Sequence, residues 1–357
     1  MMLIDLFRMH FQLVSHLYIF FCSFSGSAIS IPTLDAFAQR LLHLAFADST
    51  HRNIQSHVNV YTRFCRSVAC SPFPIETQLL IRYVAHLTLS GRSFGTISNH
   101  LSSLKHVNQL LGFGKVWDTH YRFQLVLRGA KRYLGVSANR KHPFTPEILL
   151  QVFPLFQLDK PLHAAMWALF LVAFFTFLRK SNLVPDVASR ISSKVPLRAH
   201  LVFDSHGATL HIAASKTIQY QQHSLSIPLP LIPGSPLCPV TALRHHLRLN
   251  PGPSTAPLFS VVCSPSQQLS PLTSRHFCFF IFKVISALGL VPANYSPHSF
   301  RRGGASFAFR CNVPAELIQR QGDWQSDAYL IYLEMSSAQK RRDAHSMASH
   351  ILQLSSR

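Results

Sequence analysis

A chain of 357 residues is long enough for two domains, because single domains usually run about 100 to 200 residues. It carries 34 Lys+Arg against 14 Asp+Glu, a formal net charge of +20 with a pI near 10.2. Internal ion pairs cannot neutralise such an excess, so an anionic partner is implied, either nucleic acid or an anionic membrane surface. The seven cysteines are odd in number and lack a CxxC pair, which argues against a zinc site and reads as buried thiols in a reducing compartment. The 21 histidines include no HExxH pattern, and no metal ligand set is expected.

Residues 1–30 form an apolar leader that reads either as a weak secretion signal or as a disordered extension. Its apolar run is short and broken by His16. From 31 to 135 helical periodicity recurs between turn signals, with helices expected over 35–46, 52–65, 75–89, 96–111 and 121–134. Asp48-Ser-Thr50, Pro72-Phe-Pro74, Ser90-Gly91 and Gly112-Phe-Gly114 supply the breaks. The last helix is basic, with Arg122, Arg128, Lys131 and Arg132, and runs into an exposed basic linker, 136–144, containing Arg140 and Lys141. Together with Lys105 on the preceding helix, Arg128, Lys131, Arg132, Arg140 and Lys141 are the expected contacts to an anionic partner.

A second domain, 145–357, opens at Thr145-Pro146-Glu147, a cap, a first-turn proline and an acidic residue suited to a helix start. Residues 164–178 are 15 in a row without a charge. A spanning helix needs about 20, so this stretch predicts a buried core helix and no membrane partner. Period-two patterns over 200–204, 208–213 and 223–228 predict three short strands, with Ser205-His-Gly207 as the first hairpin turn. Helix resumes at 237–243 and dominates from 270 onward. Cys311 and the Phe-rich stretch 277–282 are expected in the core. The fold class is mainly α with a small antiparallel β-sheet (α+β).

The chemistry concentrates in Ser296-Pro-His-Ser-Phe-Arg-Arg-Gly-Gly304. Ser and Pro begin a helix, and a spacing of three sets His298 and Arg301 on one face, where an imidazole and a forked guanidinium suit the oxygens of one phosphate. Some 20 residues later comes Gln319-Arg-Gln-Gly-Asp-Trp324, then Gln-Ser-Asp-Ala-Tyr-Leu-Ile-Tyr332. Gly322 ends one helix, and Ser326-Asp327 can cap the next. Upstream, Arg179 sits where the apolar helix stops, an expensive place for a charge without a partner.

This ordered set resembles the tyrosine recombinase (phage integrase) family, as carried by eukaryotic mobile elements. The resemblance maps Arg179 onto the family's first arginine, Lys216 of Ala214-Ser-Lys-Thr217 onto its sheet lysine, His298 and Arg301 onto its His-x-x-Arg box, and Tyr332 onto its nucleophile. Tyr329 is the competing tyrosine. The amino-terminal bundle, 31–135, resembles the family's core-binding domain, especially over Gly95-Thr-Ile-Ser-Asn-His-Leu-Ser-Ser-Leu104. Two positions depart from the pattern. Asp323 stands where the family usually has His or Trp, with Trp324 one place later as a packing or hydrogen-bonding substitute, and Asn182 stands where it keeps an acidic residue.

The resemblance implies site-specific cleavage and rejoining of double-stranded DNA through a 3′-phosphotyrosyl bond, without metal or nucleotide cofactor. It also implies a homo-tetramer on paired sites, assembled through an amphipathic carboxy-terminal helix over 337–354. The setting implied is the nucleus in a eukaryotic host, or otherwise the cytoplasm and nucleoid. Alternatives are a domesticated, catalytically inactive DNA-binding protein and a type IB topoisomerase-like enzyme.

Overall fold

The computed structural model describes residues 30–114, 117, 119–135, 141–212, 225–263 and 268–333, and beyond these 341, 344–346, 348–349 and 351–352. The chain divides into two compact units between Ala138 and Asn139.

In the first unit, α1 (Ile31–Leu44) starts at Ser30, whose Oγ accepts from Thr33 N–H at 3.4 Å. This helix buries none of its residues. Helix α2 (Asp48–Ser67) buries Ile54, Val58, Tyr61, Phe64 and Cys65, spaced three and four apart along one stripe. Asp48-Ser-Thr50 form its first turn, where the sequence reading placed a break. Helix α3 (Thr77–Leu89) adds Leu79, Leu80, Tyr83, Val84 and Leu87. Helix α4 (Phe94–Leu110) is capped by Ser93, which accepts from Thr96 N–H at 3.2 Å, and adds Ile97, Leu101, Leu104 and Val107. Helix α5 (Tyr121–Leu134) buries only Phe123 and Ala130, so most of its surface, basic residues included, faces solvent. Two polar groups organise this core. Tyr83 Oη hydrogen-bonds with His100 Nδ1 at 2.8 Å, and Asn108 accepts from Ile75 N–H at 3.1 Å while donating to the Gly114 carbonyl at 3.2 Å.

The second unit begins with α6 (Pro146–Val152), capped by Thr145. Helix α7 (Pro161–Thr176) is apolar on every side and has twelve buried residues, as a helix must that is surrounded by its own domain. At about 1.5 to 3 kcal/mol for each large apolar side chain, its Met166, Trp167, Leu169, Phe170, Leu171 and Phe174 form the centre of the core. Strands β1 (Leu201–Phe203), β2 (Gly207–Ile212) and β3 (Leu225–Pro230) make an antiparallel sheet in that order, with Leu210 opposite both Leu201 and Ile227. The first hairpin turn, Asp204-Ser-His206, lies one residue earlier than expected. Gly207 belongs to β2, and Asp204 Oδ1 accepts from His206 and Gly207 N–H, each at 2.8 Å. Residues 213–224 lie outside the described residues.

Helix α8 (Pro239–Leu249) packs on α7. A second hairpin follows, β4 (Ser260–Cys263) with β5 (Gln268–Pro271), which the sequence reading did not anticipate. Helices α9 (Ser274–Ala287), α10 (Pro297–Arg310) and α11 (Ala315–Gln321) and a 3-10 turn (Asp327–Tyr332) complete the unit. The Phe-rich stretch is split by helical period. Phe277, Phe280 and Ile281 are buried, while Phe279 and Phe282 stay 61% and 59% exposed on the opposite face of α9. The cysteine expectation is likewise corrected: Cys65 and Cys238 are buried, but Cys263, Cys278 and Cys311 are exposed, Cys311 because it caps α10 at the surface. Among the described residues no helix is long and apolar enough to cross a membrane.

Candidate active site

The site is built where α7 stops. Phe177 takes a left-handed conformation at φ 53°, which ends the helix and turns its carbonyl away from the helical ladder. Arg301, on the first turns of α10, donates from Nη1 to that carbonyl and, at 2.7 Å, to the carbonyl of Gly322. Its guanidinium carbon lies 3.5 Å from the ring centroid of Trp324, a cation–π stack. The residue is only 1% exposed, and Nη2 has no hydrogen-bond partner among the described residues. Burial, then the nearby charge of Arg179, pulls the Arg301 pKa down to about 9, partly opposed by Tyr332 and Asp323. A buried guanidinium with an unmatched N–H group favours an incoming oxyanion.

Glycines let the backbones approach. A Cβ at Gly303 would stand 1.7 Å from the Phe144 carbonyl oxygen, and one at Gly304 would stand 2.0 Å from that of Phe174. Gly304 therefore allows α10 to lie against the end of α7, and Gly303 allows it to lie against the backbone at Phe144. A Cβ at Gly322 would meet the Trp324 ring at 1.6 Å, so the glycine lets the indole fold back beneath Arg301.

His298 sits one turn before Arg301 on the same helix. Its Nε2 lies 2.6 Å from Tyr332 Oη. Packing around the ring, followed by the positive charges of Arg301, Arg179 and Arg302, lowers the His298 pKa below 6.5. The neutral ring is thus favoured near pH 7, and in the tautomer protonated at Nδ1 its Nε2 accepts the tyrosine O–H.

Tyr332 is half-buried at the end of the 3-10 turn, with its carbonyl accepting from Ser306 Oγ at 2.5 Å. Tyr329 is 7% exposed and packs with Phe177, Ala305, Ile318 and Trp324. Ser326 occupies the N-cap position of this turn without the side-chain bond expected of it. Arg179 follows Phe177-Leu178, and its Nη1 lies 3.8 Å from the Asp323 carboxylate. Asn182 is 1% exposed, its N–H donating to the Arg179 carbonyl at 2.8 Å.

The structure therefore brings Arg179, His298, Arg301, Trp324 and Tyr332 together. Lys216 lies outside the described residues, as does Arg140. The other residues expected to meet an anionic partner are spread over the surface. Lys105 is half-buried on α4, and Arg128, Lys131 and Arg132 are exposed on α5, with Lys131 Nζ 5.8 Å from the Phe94 ring centroid. Lys141 is exposed, with Nζ donating to the Ala293 carbonyl at 2.5 Å. Sequence reasoning missed the two carbonyls that hold Arg301 and the pairing of Arg179 with Asp323. The left-handed φ of 53° at Asp323 was signalled only by a Gly-Asp pair at a helix end. No group of three or more His, Cys, Asp or Glu among the described residues could hold a metal ion.

Comparison with known proteins finds similarity in sequence to a recombinase and in fold to integrases. No protein-family model matches the chain. It is 23% identical over 295 residues to an integrase/recombinase XerD homologue of Selenomonas ruminantium, covering 81% of this chain and 82% of that protein. Its fold is similar to that of the Tn1549 transposon integrase in complex with transposon right-end DNA, with a TM-score of 0.56 and 13% identity over 88% of this chain and 98% of that one. It is also similar to a lambda integrase dimer bound to a COC′ core site, with a TM-score of 0.55 and 16% identity over 84% and 94% of the two chains.

Proposed function

We propose that this chain is a tyrosine recombinase, a site-specific DNA recombinase or integrase that cleaves and rejoins duplex DNA through a 3′-phosphotyrosyl intermediate. One observation carries the reading: Tyr332 Oη lies 2.6 Å from His298 Nε2, on a helix whose next turn holds a buried arginine with an unmatched N–H group. The XerD homologue and the DNA-bound integrases of like fold support the same reading.

In the proposed reaction Tyr332 Oη attacks the scissile phosphorus. The Oη–P bond forms as the bond from phosphorus to the 5′-oxygen breaks, and the bond energy is kept for rejoining. His298 takes the phenolic proton. Arg301 and Arg179 neutralise charge on the non-bridging oxygens of the pentacoordinate transition state. Lys216, by the family resemblance, gives a proton to the departing 5′-oxygen. Attack by a 5′-hydroxyl on the phosphotyrosine reverses each step and reseals the strand. Lys105, Arg128, Lys131, Arg132, Arg140 and Lys141 would neutralise backbone phosphates on either side.

Assembly is part of the proposal. Two protomers on each of two paired sites would make a tetramer, with the carboxy-terminal residues after Tyr332 exchanged between neighbours. Truncation after Gln339 should then leave single-site binding intact and abolish higher-order complexes. A truncated chain that still builds the four-protomer complex would remove the exchange. The chain would work where its DNA lies, in the nucleus if the host is eukaryotic and otherwise in the cytoplasm and nucleoid.

The test of the reaction uses a randomised pool of nicked duplexes, in which cleavage near the nick loses the short strand and traps the adduct. Protein–DNA adducts are separated on denaturing gels and the captured sites sequenced. Enrichment of one sequence in adducts of the wild-type chain supports the reading. Binding without any adduct would leave a DNA-binding protein in its place.

A further inference from the structure

We infer that Asp323 is the positioning residue for Arg179, a built-in counter-ion that holds the site's two guanidinium groups together before DNA arrives. The inference rests on the recombinase reading for its consequence but not for its geometry.

Arg179 and Arg301 belong to one site: the charge of Arg179 reaches Arg301 and depresses its pKa. Two cations converging on one place repel unless an anion stands between or beside them. In the reaction that anion is the phosphate. Without DNA, the carboxylate that acts on both groups is Asp323, 3.8 Å from Arg179 Nη1 and also raising the Arg301 pKa. Its side chain is only 5% exposed, against 29% for Arg179, so the carboxylate acts on Arg179 with little screening by water.

The backbone is shaped to deliver it. Asp323 N–H donates to the Arg320 carbonyl and Trp324 N–H to that of Gln319, wrapping the chain tightly off the end of α11. Asp323 takes φ 53° in this turn, a conformation that Asp and Asn tolerate better than most residues. The same turn sends Trp324 under Arg301 and Asp323 toward Arg179. One three-residue turn, Gly322-Asp323-Trp324, therefore supports both arginines, one by a stacked ring and the other by charge. The uncharged Asn182, three residues after Arg179, cannot supply that charge, and Asp323 supplies it from the other side of the site.

The tests separate charge from backbone. Asp323→Asn and Asp323→Gly both keep the left-handed turn accessible and remove the carboxylate. Each should bind DNA within about threefold of wild type and form the covalent adduct at saturating DNA about 100-fold more slowly, the cost of a misplaced positioning group. Adduct formation at the wild-type rate in either variant would overturn the inference, as would loss of the folded state in both, which would make the carboxylate structural. A thermal double-mutant cycle between Arg179→Ala and Asp323→Asn needs neither DNA nor activity, and its two melting-temperature changes should be clearly non-additive. Additive changes would overturn the pairing. A wild-type chain with no adduct but a coupled cycle would instead remove the recombinase reading and leave the ion pair in place.

Discussion

Tyr332 and His298 are brought within hydrogen-bond distance, 2.6 Å from Oη to Nε2, across 34 residues of sequence. The neighbouring tyrosine one helical turn earlier, Tyr329, faces the core instead. Tyr332→Phe should therefore bind DNA as wild type does and form no covalent adduct. Tyr329→Phe should still form it, and Tyr329→Ala should cost about 3 kcal/mol of stability through the cavity it leaves. An adduct in Tyr332→Phe that vanishes in Tyr329→Phe would reverse the assignment.

The same pair sets a pH dependence. Because the His298 pKa is lowered from 6.5, the imidazole is neutral near pH 7 and able to accept a proton, and it becomes charged only on acidification. The rate of adduct formation should be level above about pH 6.5 and fall on the acid side, approaching tenfold per unit below the His298 pKa. His298→Gln should lower the plateau by about 100-fold and erase the acid limb. An unchanged acid limb in that variant would show that another group titrates there.

Much of this was legible in the sequence, for reasons that differ by element. Helix α7 could be read because 15 uncharged residues have no alternative but burial, and α5 because its apolar positions and Gly135 define it at both ends. His298 and Arg301 were visible because helical spacing fixes their common face. The β4–β5 hairpin was not, since Ser260-Val-Val-Cys263 and Gln268-Leu-Ser-Pro271 are too short for a period to register. Asp323 read as a defect. Its partner is 144 positions away, and nothing local reveals a long-range ion pair. Cys311 misled because small apolar residue types are usually buried, whereas here the helix end decides.

Glycine packing gives a test of the architecture that is independent of DNA. A methyl group at Gly303 or Gly304 would overlap a carbonyl oxygen at 1.7 or 2.0 Å, and neither Phe144 nor Phe174 can move without disturbing the core. Gly303→Ala and Gly304→Ala should each cost about 1 to 3 kcal/mol or more, lowering Tm by roughly 2 to 12 °C. Gly129→Ala on α5, where nothing lies within 4 Å of an added Cβ, should be neutral or slightly stabilising. Equal melting temperatures for all three variants would mean that α10 does not lie against Phe144 and the end of α7 as described.

DNA affinity should carry the signature of the +20 charge. Each phosphate neutralised by Lys or Arg releases counterions, so affinity should fall by orders of magnitude between about 50 and 200 mM salt. Arg128→Ala and Lys131→Ala, on the exposed face of α5, should each reduce the slope of log affinity against log salt by about one unit and weaken binding to all sequences alike. A salt-independent affinity in the wild type would remove phosphate contacts as the basis of binding.

Acid stability is the last expectation, and it is set by histidines rather than carboxylates, which are few in this chain. His100 in the first unit and His246 in the second are 7% and 0% exposed, and burial lowers both pKa values from 6.5 to about 4. Each is held neutral by its contacts. His100 Nδ1 shares a hydrogen bond with Tyr83 Oη, while His246 Nε2 donates to the Leu258 carbonyl and its Nδ1 accepts from Asn250 Nδ2 at 3.1 Å. A depressed histidine pKa means that the unfolded chain binds the proton first. The stabilisation is therefore complete above pH 6.5 and is lost as pH falls toward 4. A shift of that size corresponds to roughly 3 kcal/mol for each histidine. Thermal melts should hold a plateau from about pH 7.5 to 6.5 and then drop steeply, in both units. His100→Gln with His246→Gln should be less stable at pH 7 but lose much of the slope between pH 6.5 and 4. A double variant with the wild-type slope would show that the proton uptake lies elsewhere, and a wild-type chain with a flat profile down to pH 4.5 would contradict the burial of both rings.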